Sequence, residues 1–312
     1  MAEGPGMAGM RRVAVPGTGG TVAAVGQGTW GLGVTSALRG REIDALRLGV
    51  SLGMTLIDTA EYYGAGRTEE LVGEALSGCR DQVFLVTKVW PSHAGYRALQ
   101  ESVDASRRRL RTDRVDAVLL HWPTRSVPLA QTLRALADLQ RQGAIGCYGL
   151  SNFAGDWLDA AEGAAPEGAR PAFNQVPYSL ADRRVENAVL PHARAHGQVV
   201  MAWSPLGHGR MTAWRGYGQL AACAAERGAT PQQLALAFLV DRPGVVAIPR
   251  AARPEHVRAN AAAGAMRLTP EERARLESAF PRGRKTRFPA LPPYDPFFRL
   301  ILWAEERSHR RA

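Results

Sequence analysis

The chain has 312 residues, of which 46 % are hydrophobic and 22 % charged, and its formal net charge at pH 7 is +10. This composition is ordinary for a folded globular protein, and it excludes a chain that is disordered throughout or collagen-like. The three cysteines are far apart and show no C-x-x-C spacing, which argues against a disulfide framework or a zinc site. No apolar run approaches the ~18–20 residues that span a bilayer, and the N-terminus lacks the apolar core of a signal peptide. We therefore expect a cytoplasmic protein with no membrane partner.

In chain order, the first predicted element is a β-hairpin over residues 11–24 that plugs the floor of a barrel. Its strands are Arg11–Pro16 and Thr21–Ala24, and its turn is Pro16–Gly20. Eight short apolar runs typical of buried strands follow, with segments of helical period between them. These runs are Val25–Trp30, Thr55–Asp58, Val83–Lys88, Val115–His121, Ala144–Leu150, Ala172–Gln175, Val199–Trp203 and Val245–Ile248. Near the end, Thr230 and Pro231 predict the cap and first position of a helix over Gln232–Val240.

Eight strand-plus-helix units in about 250 residues predict an α/β fold, a closed (β/α)8 TIM barrel. The prediction places one domain over residues 1–312, with the barrel over 25–280 and a C-terminal tail, 281–312, over or beside its mouth. A doubly wound open sheet is the alternative, and it would bind a dinucleotide through G-x-G-x-x-G after its first strand. Gly17–Val22 approaches that pattern, but Val22 replaces the third glycine and the segment precedes the eight runs.

The tail is rich in aromatic residues and prolines from Phe288 onward. Within it, Asp295–Glu306 has the pattern of a short amphipathic helix, which we expect to dock on its own barrel. A lid over the substrate pocket, a contact with a neighbouring subunit, and a partner or membrane surface are the alternatives.

Most of the predicted strands end in a polar or ionisable residue. These residues are Asp58, Lys88, His121, Ser151, Asn152, Gln175, Ser204 and Arg250. In a barrel, the carboxyl ends of all strands meet at one mouth, where active sites form. Each residue alone is more often a cap, a solvated charge or a structural side chain, but together they predict a site at the mouth.

A lysine that closes an apolar strand predicts a buried ion pair. Only two residues of the chain are lysines, and burying Lys88 alone would cost several kcal/mol, so it needs a carboxylate, for which Asp58 is the candidate. Tyr63 lies five residues after Asp58, and a neighbouring ammonium would lower the pKa of its phenol from ~10. This set suits carbonyl reduction, with Tyr63 as proton donor and His121 orienting the carbonyl. No cluster of His, Cys and acidic residues shows ligand spacing, so no metal is predicted.

Seven motifs in this order resemble the aldo-keto reductase superfamily. They are residues 53–64, 85–90, 119–123, 149–153, 174–178, 203–206 and 247–250. The resemblance covers residues 26–280, and the pattern is most similar to bacterial NADPH-dependent reductases of methylglyoxal and 2,5-diketogluconate. It implies a TIM barrel that reduces an aldehyde or ketone to an alcohol, with Asp58, Tyr63, Lys88 and His121 as catalytic tetrad.

The resemblance also implies a binding site for NADPH, with NADH less favoured. Ser151, Asn152 and Gln175 match residues that hold the nicotinamide carboxamide, and Tyr178 matches the aromatic that stacks on the ring. The other matching positions are Gly28, Thr29 and Trp30, then Ser204, Pro205 and Leu206 on the pyrophosphate side, and Ile248, Arg250, Arg253, His256 and Asn260 at the adenosine phosphate. Trp30, Trp90 and Trp122 match the walls of the substrate pocket.

Two other functions remain open at this point. A cofactor-binding regulatory or redox-sensing protein of the same fold is the first, and the complete tetrad argues against it. A nucleic-acid binder that uses its basic surface is the second, and no recognition motif supports it. We expect a small-molecule carbonyl substrate, no nucleic-acid partner, and a monomer or weak homo-oligomer.

Overall fold

The computed structural model of the protein describes residues 9–283. The predicted tail beyond residue 283, with its predicted helix Asp295–Glu306, lies outside the described residues. In the described part the strands are β1 Arg12–Ala14, β2 Thr21–Ala23, β3 Gln27–Gly28, β4 Leu56–Asp58, β5 Phe84–Val89, β6 Val115–Leu120, β7 Ile145–Ser151, β8 Phe173–Pro177, β9 Val199–Trp203 and β10 Val245–Ala247. The α-helices are α1 Arg39–Ser51, α2 Arg67–Ala75, α3 Tyr96–Leu110, α4 Leu129–Arg141, α5 Asp156–Ala164, α6 Val189–Ala195, α7 Tyr217–Glu226, α8 Pro231–Val240, α9 Pro254–Ala265 and α10 Pro270–Ala279.

The eight strands β3 to β10 pair in parallel with their neighbours in chain order. The sheet closes on itself, because a parallel bridge joins Val25 to Ala247 and the Gly26 amide donates to the Ala247 carbonyl at 2.8 Å. The predicted TIM barrel is therefore confirmed, and the doubly wound alternative is wrong.

The first barrel strand is shorter than the predicted run Val25–Trp30. The backbones of the first and last barrel strands pack closely at Gly28, because a Cβ at this position would lie 2.6 Å from the Ile248 carbonyl oxygen. Only Gln27 and Gly28 form the paired strand β3, and the bridge at Val25 completes the closure. Glycine permits the close backbone approach that joins the first strand to the last.

The predicted hairpin is also confirmed. β1 and β2 pair antiparallel with Arg12 opposite Ala23 and Ala14 opposite Thr21. Val15 and Val22 from this hairpin are buried in the cluster that fills the barrel. The hairpin therefore closes one end of the barrel with apolar side chains, and the other end is left for the site.

Side chains alternate between two cores along each strand. The barrel interior is filled by Val15, Val22, Leu56, Val86, Ala117, Leu119, Cys147, Ala172, Phe173, Val199, Met201, Val246 and Ile248. Their neighbours along the strands, such as Ile57, Leu85 and Val118, pack outward against the helices. Strands buried on both faces explain why the sequence shows continuous apolar runs rather than alternation.

Local signals set several helix ends. The predicted cap at Thr230, with Pro231 at the first helical position, is confirmed. Thr230 Oγ1 accepts a hydrogen bond from the Gln233 amide and Gln233 Oε1 accepts one from the Thr230 amide, so α8 begins with a capping box. Thr269 and Glu272 begin α10 in the same way. Within residues 9–283, no helix combines the length and the apolar character needed to cross a bilayer.

Candidate active site

The carboxyl ends of the barrel strands bring the predicted polar residues to one mouth. Asp58 ends β4, Lys88 lies near the end of β5, and His121 directly follows β6. Ser151 ends β7 and Gln175 lies in β8. These residues span more than a hundred positions of sequence, and parallel pairing alone places them side by side.

Lys88 is the centre of this arrangement. Its side chain is 0 % exposed, and its Nζ donates to three oxygens: Asp58 Oδ2 at 2.7 Å, the Thr59 carbonyl at 2.9 Å and Tyr63 Oη at 3.0 Å. All three ammonium protons therefore have acceptors. Burial by itself would lower the pKa of Lys88, but the Asp58 carboxylate and Tyr63 together raise it above its ordinary value, so the lysine stays charged.

A tight turn after β4 carries Tyr63 back to the strand end. The turn Tyr63–Gly66 contains two left-handed glycines, Gly64 with φ +56° and Gly66 with φ +90°. A Cβ at Gly66 would meet only the flexible Arg109 side chain, so it is the left-handed backbone angle that favours glycine here. This geometry brings the Tyr63 hydroxyl to Lys88.

The prediction that the pKa of Tyr63 is lowered is wrong. Burial raises the pKa of the Tyr63 phenol, and the Lys88 ammonium, which favours the tyrosinate, offsets only part of that rise. Tyr63 therefore carries its proton at neutral pH, as a proton donor must. The sequence showed the neighbouring charge, whereas the depth of burial came only from the fold.

His121 is held as a neutral imidazole beside Tyr63. Burial, with a smaller contribution from Lys88, holds the pKa of His121 well below its ordinary value. The ring centroids of Tyr63 and His121 lie 5.7 Å apart. The His121 Nδ1 atom is buried and has no hydrogen-bond partner among residues 9–283.

Aromatic rings form a wall around the Tyr63 hydroxyl. Trp30 packs edge-on against Tyr63 with ring centroids 4.8 Å apart, and Trp90 packs edge-on against His121 at 5.1 Å. Tyr62 stacks on Trp90 at 4.1 Å. Trp122 follows His121 in the chain and is half-buried. The structure thus places Trp30 and Trp90 directly at the tetrad.

Glu61 is a residue of this region that the sequence analysis missed. Its carboxylate accepts from the Trp90 backbone amide at 2.6 Å, from Ser102 Oγ at 2.5 Å, and contacts His93 Nδ1 at 2.9 Å. The loop after β5 is therefore tied to the loop after β4, and Trp90 is fixed beside the site. Its position between Asp58 and Tyr63 in the same motif was the available signal.

The predicted carboxamide-binding residues lie together but are already linked to the tetrad. Gln175 Nε2 donates to Asp58 Oδ1 at 2.7 Å. Asn152 Nδ2 donates to the His121 carbonyl and to Ser151 Oγ, each at 3.0 Å. Ser151 Oγ in turn donates to the Gln175 carbonyl at 3.1 Å. The group is thus one hydrogen-bonded unit that joins the ends of β6, β7 and β8 and reaches across the mouth to Asp58 on β4.

The structure does not place Tyr178 at the mouth. Tyr178 is 1 % exposed in the outer core, and its hydroxyl donates to Glu186 at 2.7 Å. Trp203 at the end of β9 stands there instead, half-buried, with its Nε1 donating to Asn152 Oδ1 at 3.0 Å. An aromatic residue immediately before Ser204 at a strand end was the sequence signal for this position.

The remaining residues that were predicted to bind the cofactor lie either in the barrel wall or at the rim of its mouth. Thr29 is fully buried, and its hydroxyl donates to the Asp58 carbonyl at 2.9 Å, while Gly28 and Ile248 form the closed seam of the barrel. Ser204 has φ +48°, an uncommon backbone angle for serine that often accompanies functional sites. Pro205 beside it is buried and Leu206 is half-buried.

The loop between β10 and α9 carries the predicted phosphate-binding residues. Arg250 and Arg253 are both exposed, and Arg253 is the N-cap of α9. Arg253 contacts His256 Nε2 at 2.7 Å and Glu255 at 3.4 Å, while Asn260 is buried two turns further along α9. The rim thus carries two exposed guanidinium groups outside the buried tetrad, and partial desolvation lowers the pKa of Arg250.

Comparison with known proteins agrees with this geometry. The sequence profile of the Aldo/keto reductase family matches residues 24–280. The chain is 42 % identical over 263 residues to "Methylglyoxal reductase YeaE" of Escherichia coli strain K12, which covers 83 % of this chain and 91 % of that protein. The structure superposes with a TM-score of 0.84 on a crystal structure of an aldo/keto reductase from Klebsiella pneumoniae in complex with NADP and acetate, at 41 % identity over 89 % of this chain and 98 % of that one.

The structure also resembles a crystal structure of the thermostable aldo-keto reductase Tm1743 in complex with the inhibitor epalrestat. The two chains are 38 % identical and superpose with a TM-score of 0.81, and the match covers 86 % of this chain and 100 % of that one. None of these proteins supports the regulatory alternative. The chain belongs to the aldo/keto reductase family, and it is an NAD(P)H-dependent oxidoreductase that acts on the carbonyl–alcohol couple.

Proposed function

We propose that this reductase reduces small aldehydes, with Tyr63 as the proton donor and NADPH as the preferred cofactor. The observation that carries the proposal is the position of the Lys88 ammonium, 2.7 Å from Asp58 and 3.0 Å from the Tyr63 hydroxyl at the buried mouth. A phenol in this setting keeps its proton until a substrate oxygen develops negative charge.

The residues at the mouth and rim fit a phosphorylated nicotinamide dinucleotide. The half-buried Trp203 ring, with the Asn152 carboxamide bonded beside it, offers an aromatic face and amide groups to a planar ring that carries a carboxamide. We assign the stacking role to Trp203 rather than to Tyr178. The exposed guanidinium groups of Arg250 and Arg253 suit a phosphate monoester, which an arginine fork binds well.

Proton transfer is the task of this chain's own side chains, whereas the bound cofactor supplies the hydride. Tyr63 donates its proton to the carbonyl oxygen. Lys88 stabilises the resulting tyrosinate at 3.0 Å, and Asp58 holds the ammonium in place. His121, neutral because of its burial, donates a hydrogen bond to the same oxygen and orients the carbonyl.

The substrate class follows from the wall around Tyr63. Trp30, Trp90 and Tyr62 leave an aromatic surface, which favours small apolar aldehydes and 2-oxoaldehydes over large polar sugars. The Escherichia coli relative is a methylglyoxal reductase. We infer that methylglyoxal and phenylglyoxal are the first compounds to assay.

We further propose that the enzyme works in the cytoplasm as a monomer or weak homo-oligomer and without a nucleic-acid partner. The absence of a disulfide pattern among three scattered cysteines supports a reducing compartment. Light scattering at several protein concentrations measures the oligomeric state, and a stable dimer at micromolar concentration would contradict the proposal.

The decisive experiment replaces Tyr63 by phenylalanine. We expect Tyr63→Phe to lower kcat for methylglyoxal reduction by roughly 10²–10⁴-fold, because the variant lacks the acid and keeps the ring. The dissociation constant of NADPH, measured by quenching of tryptophan fluorescence, should stay within about twofold.

Tyr62→Phe is the matched control, since Tyr62 stacks on Trp90 next to Tyr63 in the chain. It should retain kcat within a few-fold. If Tyr63→Phe reduced aldehydes at the rate of the unaltered enzyme, the proposed mechanism would be wrong.

A further inference from the structure

Two helices on the outside of the barrel carry three potential metal ligands that face one another. Glu162 lies near the end of α5, and His192 and His196 lie four residues apart at the end of α6. His192 Nε2 is 3.9 Å from Glu162 Oε1, and His196 Nε2 is 3.8 Å from Glu162 Oε2. One ligand atom from each residue lies within 4.8 Å of the others. The His-x-x-x-His spacing of this pair is present in the sequence, although no ligand spacing was predicted from it.

Three buried polar atoms in and beside this cluster lack hydrogen-bond partners within the described part of the chain. Both ring nitrogens of His192 are buried and have no hydrogen-bond partner among the residues that the structure describes. The same holds for the hydroxyl of Tyr148, which is 0 % exposed beneath the helices. Tyr148 also feels the Glu162 carboxylate, which adds to the effect of burial in raising the pKa of the phenol to about 12. Buried polar groups without partners often mark a missing ion or water.

We propose that Glu162, His192 and His196 bind a divalent transition-metal ion of the zinc class. Two imidazoles and one carboxylate are the donors that Zn²⁺ takes, and three protein ligands leave a fourth position for water. Ligand atoms around one tetrahedral zinc lie ~3.4 Å apart, so the two Glu162–histidine separations must close by about half an ångström. The separation of the two histidine ligand atoms, which is within 4.8 Å, must close by at most about 1.4 Å. Side-chain rotation provides that adjustment.

The hydrogen bond of His196 prepares its ring for this role. His196 Nδ1 contacts the His192 carbonyl at 2.9 Å, which leaves Nε2 directed at Glu162. Metal-bound histidines usually donate their other ring nitrogen to a carbonyl or carboxylate, because this fixes the ring and its tautomer. The Arg170 guanidinium, 3.6 Å from Glu162 and mostly exposed, is the competing cation.

The site lies away from the proposed chemistry. Helices of a (β/α)8 barrel run from the mouth toward the floor, so the ends of α5 and α6 lie on the floor side of the outer layer. A metal ion at this place would link α5 to α6. Helix α5 follows the strand that carries Ser151, and α6 follows the strand that carries Gln175. Its role is to stabilise this side of the barrel, and carbonyl reduction does not require it.

The test uses tag-free, full-length protein treated with a chelator and then titrated with Co²⁺ and with Zn²⁺. We expect one Co²⁺ per chain, visible as d–d absorption in the green to red range, and its displacement by Zn²⁺. Zinc at a hundredfold excess over its dissociation constant should raise Tm by about 5 °C. NADPH-dependent reduction should be the same with and without the metal.

Three variants separate this site from incidental binding. His196→Gln and His192→Asn should each weaken Zn²⁺ binding at least tenfold and remove the rise in Tm, and Glu162→Gln should do the same. Glu167→Gln, an exposed carboxylate on the following loop, is the matched control and should bind like the unaltered protein. Circular dichroism shows whether each variant is folded.

The proposal is overturned if the unaltered protein binds no metal at millimolar concentration, or if binding and the rise in Tm persist in all three ligand variants. Thiolate-to-cobalt charge-transfer bands in the near ultraviolet would assign the ion to a cysteine and would overturn it as well.

Discussion

Two cations serve the proposed site, and they lie in opposite surroundings. Lys88 is completely buried and gives its three protons to Asp58, the Thr59 carbonyl and Tyr63. Arg250 is exposed on the rim, in the loop before α9. A charge in a low-dielectric interior acts several times more strongly on its neighbours than one that water and salt screen. In the proposed mechanism, proton transfer therefore takes place inside the barrel and phosphate recognition takes place at the surface.

The largest expected difference between these regions comes from replacing the buried cation. Lys88→Met should lower kcat for aldehyde reduction by roughly 10²–10⁴-fold, because the tyrosinate loses its ammonium. It should also lower the free energy of unfolding by about 3–5 kcal/mol, since the Asp58 carboxylate stays buried without its partner. Steady-state NADPH oxidation and urea denaturation measure the two effects.

An exposed ion pair provides the control for the stability effect. Arg97 and Glu101 on α3 form a pair of similar length, 2.9 Å, with side chains 91 % and 65 % exposed. Arg97→Ala should leave both kcat and the urea midpoint unchanged within error, because water already solvates both charges. If the two variants lost equal stability, burial would not be what distinguishes the pairs.

The two aromatic candidates for cofactor stacking are separated by a second pair of variants. Trp203→Ala should raise the dissociation constant of NADPH roughly tenfold, because it removes the ring exposed at the mouth. Tyr178→Leu should lower Tm but leave NADPH binding within about twofold, since Tyr178 is buried away from the mouth. Calorimetric titration with NADPH checks both, and the reverse ranking would restore Tyr178 to the stacking role.

The rim is tested by Arg250→Ala. We expect the dissociation constant of NADPH to rise up to about tenfold at low salt, with little change for NADH, because only NADPH carries the 2′-phosphate. The difference should shrink as ionic strength rises, since an exposed arginine is screened. Equal losses for both cofactors would contradict the phosphate assignment.

The smallest expected effect is that of pH on the rate of reduction. Burial raises the pKa of Tyr63, so the phenol loses its proton only at a higher pH than free tyrosine does. Burial lowers the pKa of His121, so the imidazole is already neutral below pH 6.5. Saturating kcat should therefore change less than about twofold between about pH 6 and 9. A step near pH 6.5 would show that His121 titrates during turnover.

Much of the barrel was predictable because each signal is local. The runs that became β4 to β10 were visible as apolar segments buried on both faces, and the cap at Thr230 was visible as a residue pair. The polar residue at each strand end could then be assigned to the mouth by topology alone. The juxtaposition of Asp58 and Lys88 followed from the same rule, and the spacing of Tyr63, five residues after Asp58, placed it in a loop at the same mouth.

Other features of the site depend on contacts between elements that are far apart in the chain, and they were not predicted correctly from the sequence. Tyr178 and Trp203 both stand at the ends of family-like motifs, and only the fold shows that one faces the outer core and the other the mouth. Glu61 joins two loops, and its three partners lie far away in the chain. Glu162 meets the histidines of α6 because two helices pack side by side.

By itself, the sequence determined the repeating strand–helix order and the set of polar residues at the strand ends, because periodicity and spacing act over a few residues. It predicted a closed barrel beside a doubly wound alternative, and the bridge between Val25 and Ala247 decided for closure. The tertiary structure alone decided how deeply each of those residues is buried. That depth of burial reversed the expected direction of the Tyr63 pKa shift and made His121 neutral, because desolvation depends on everything packed around a group and not on its neighbours in the chain. The tertiary structure also determined which aromatic ring faces the mouth.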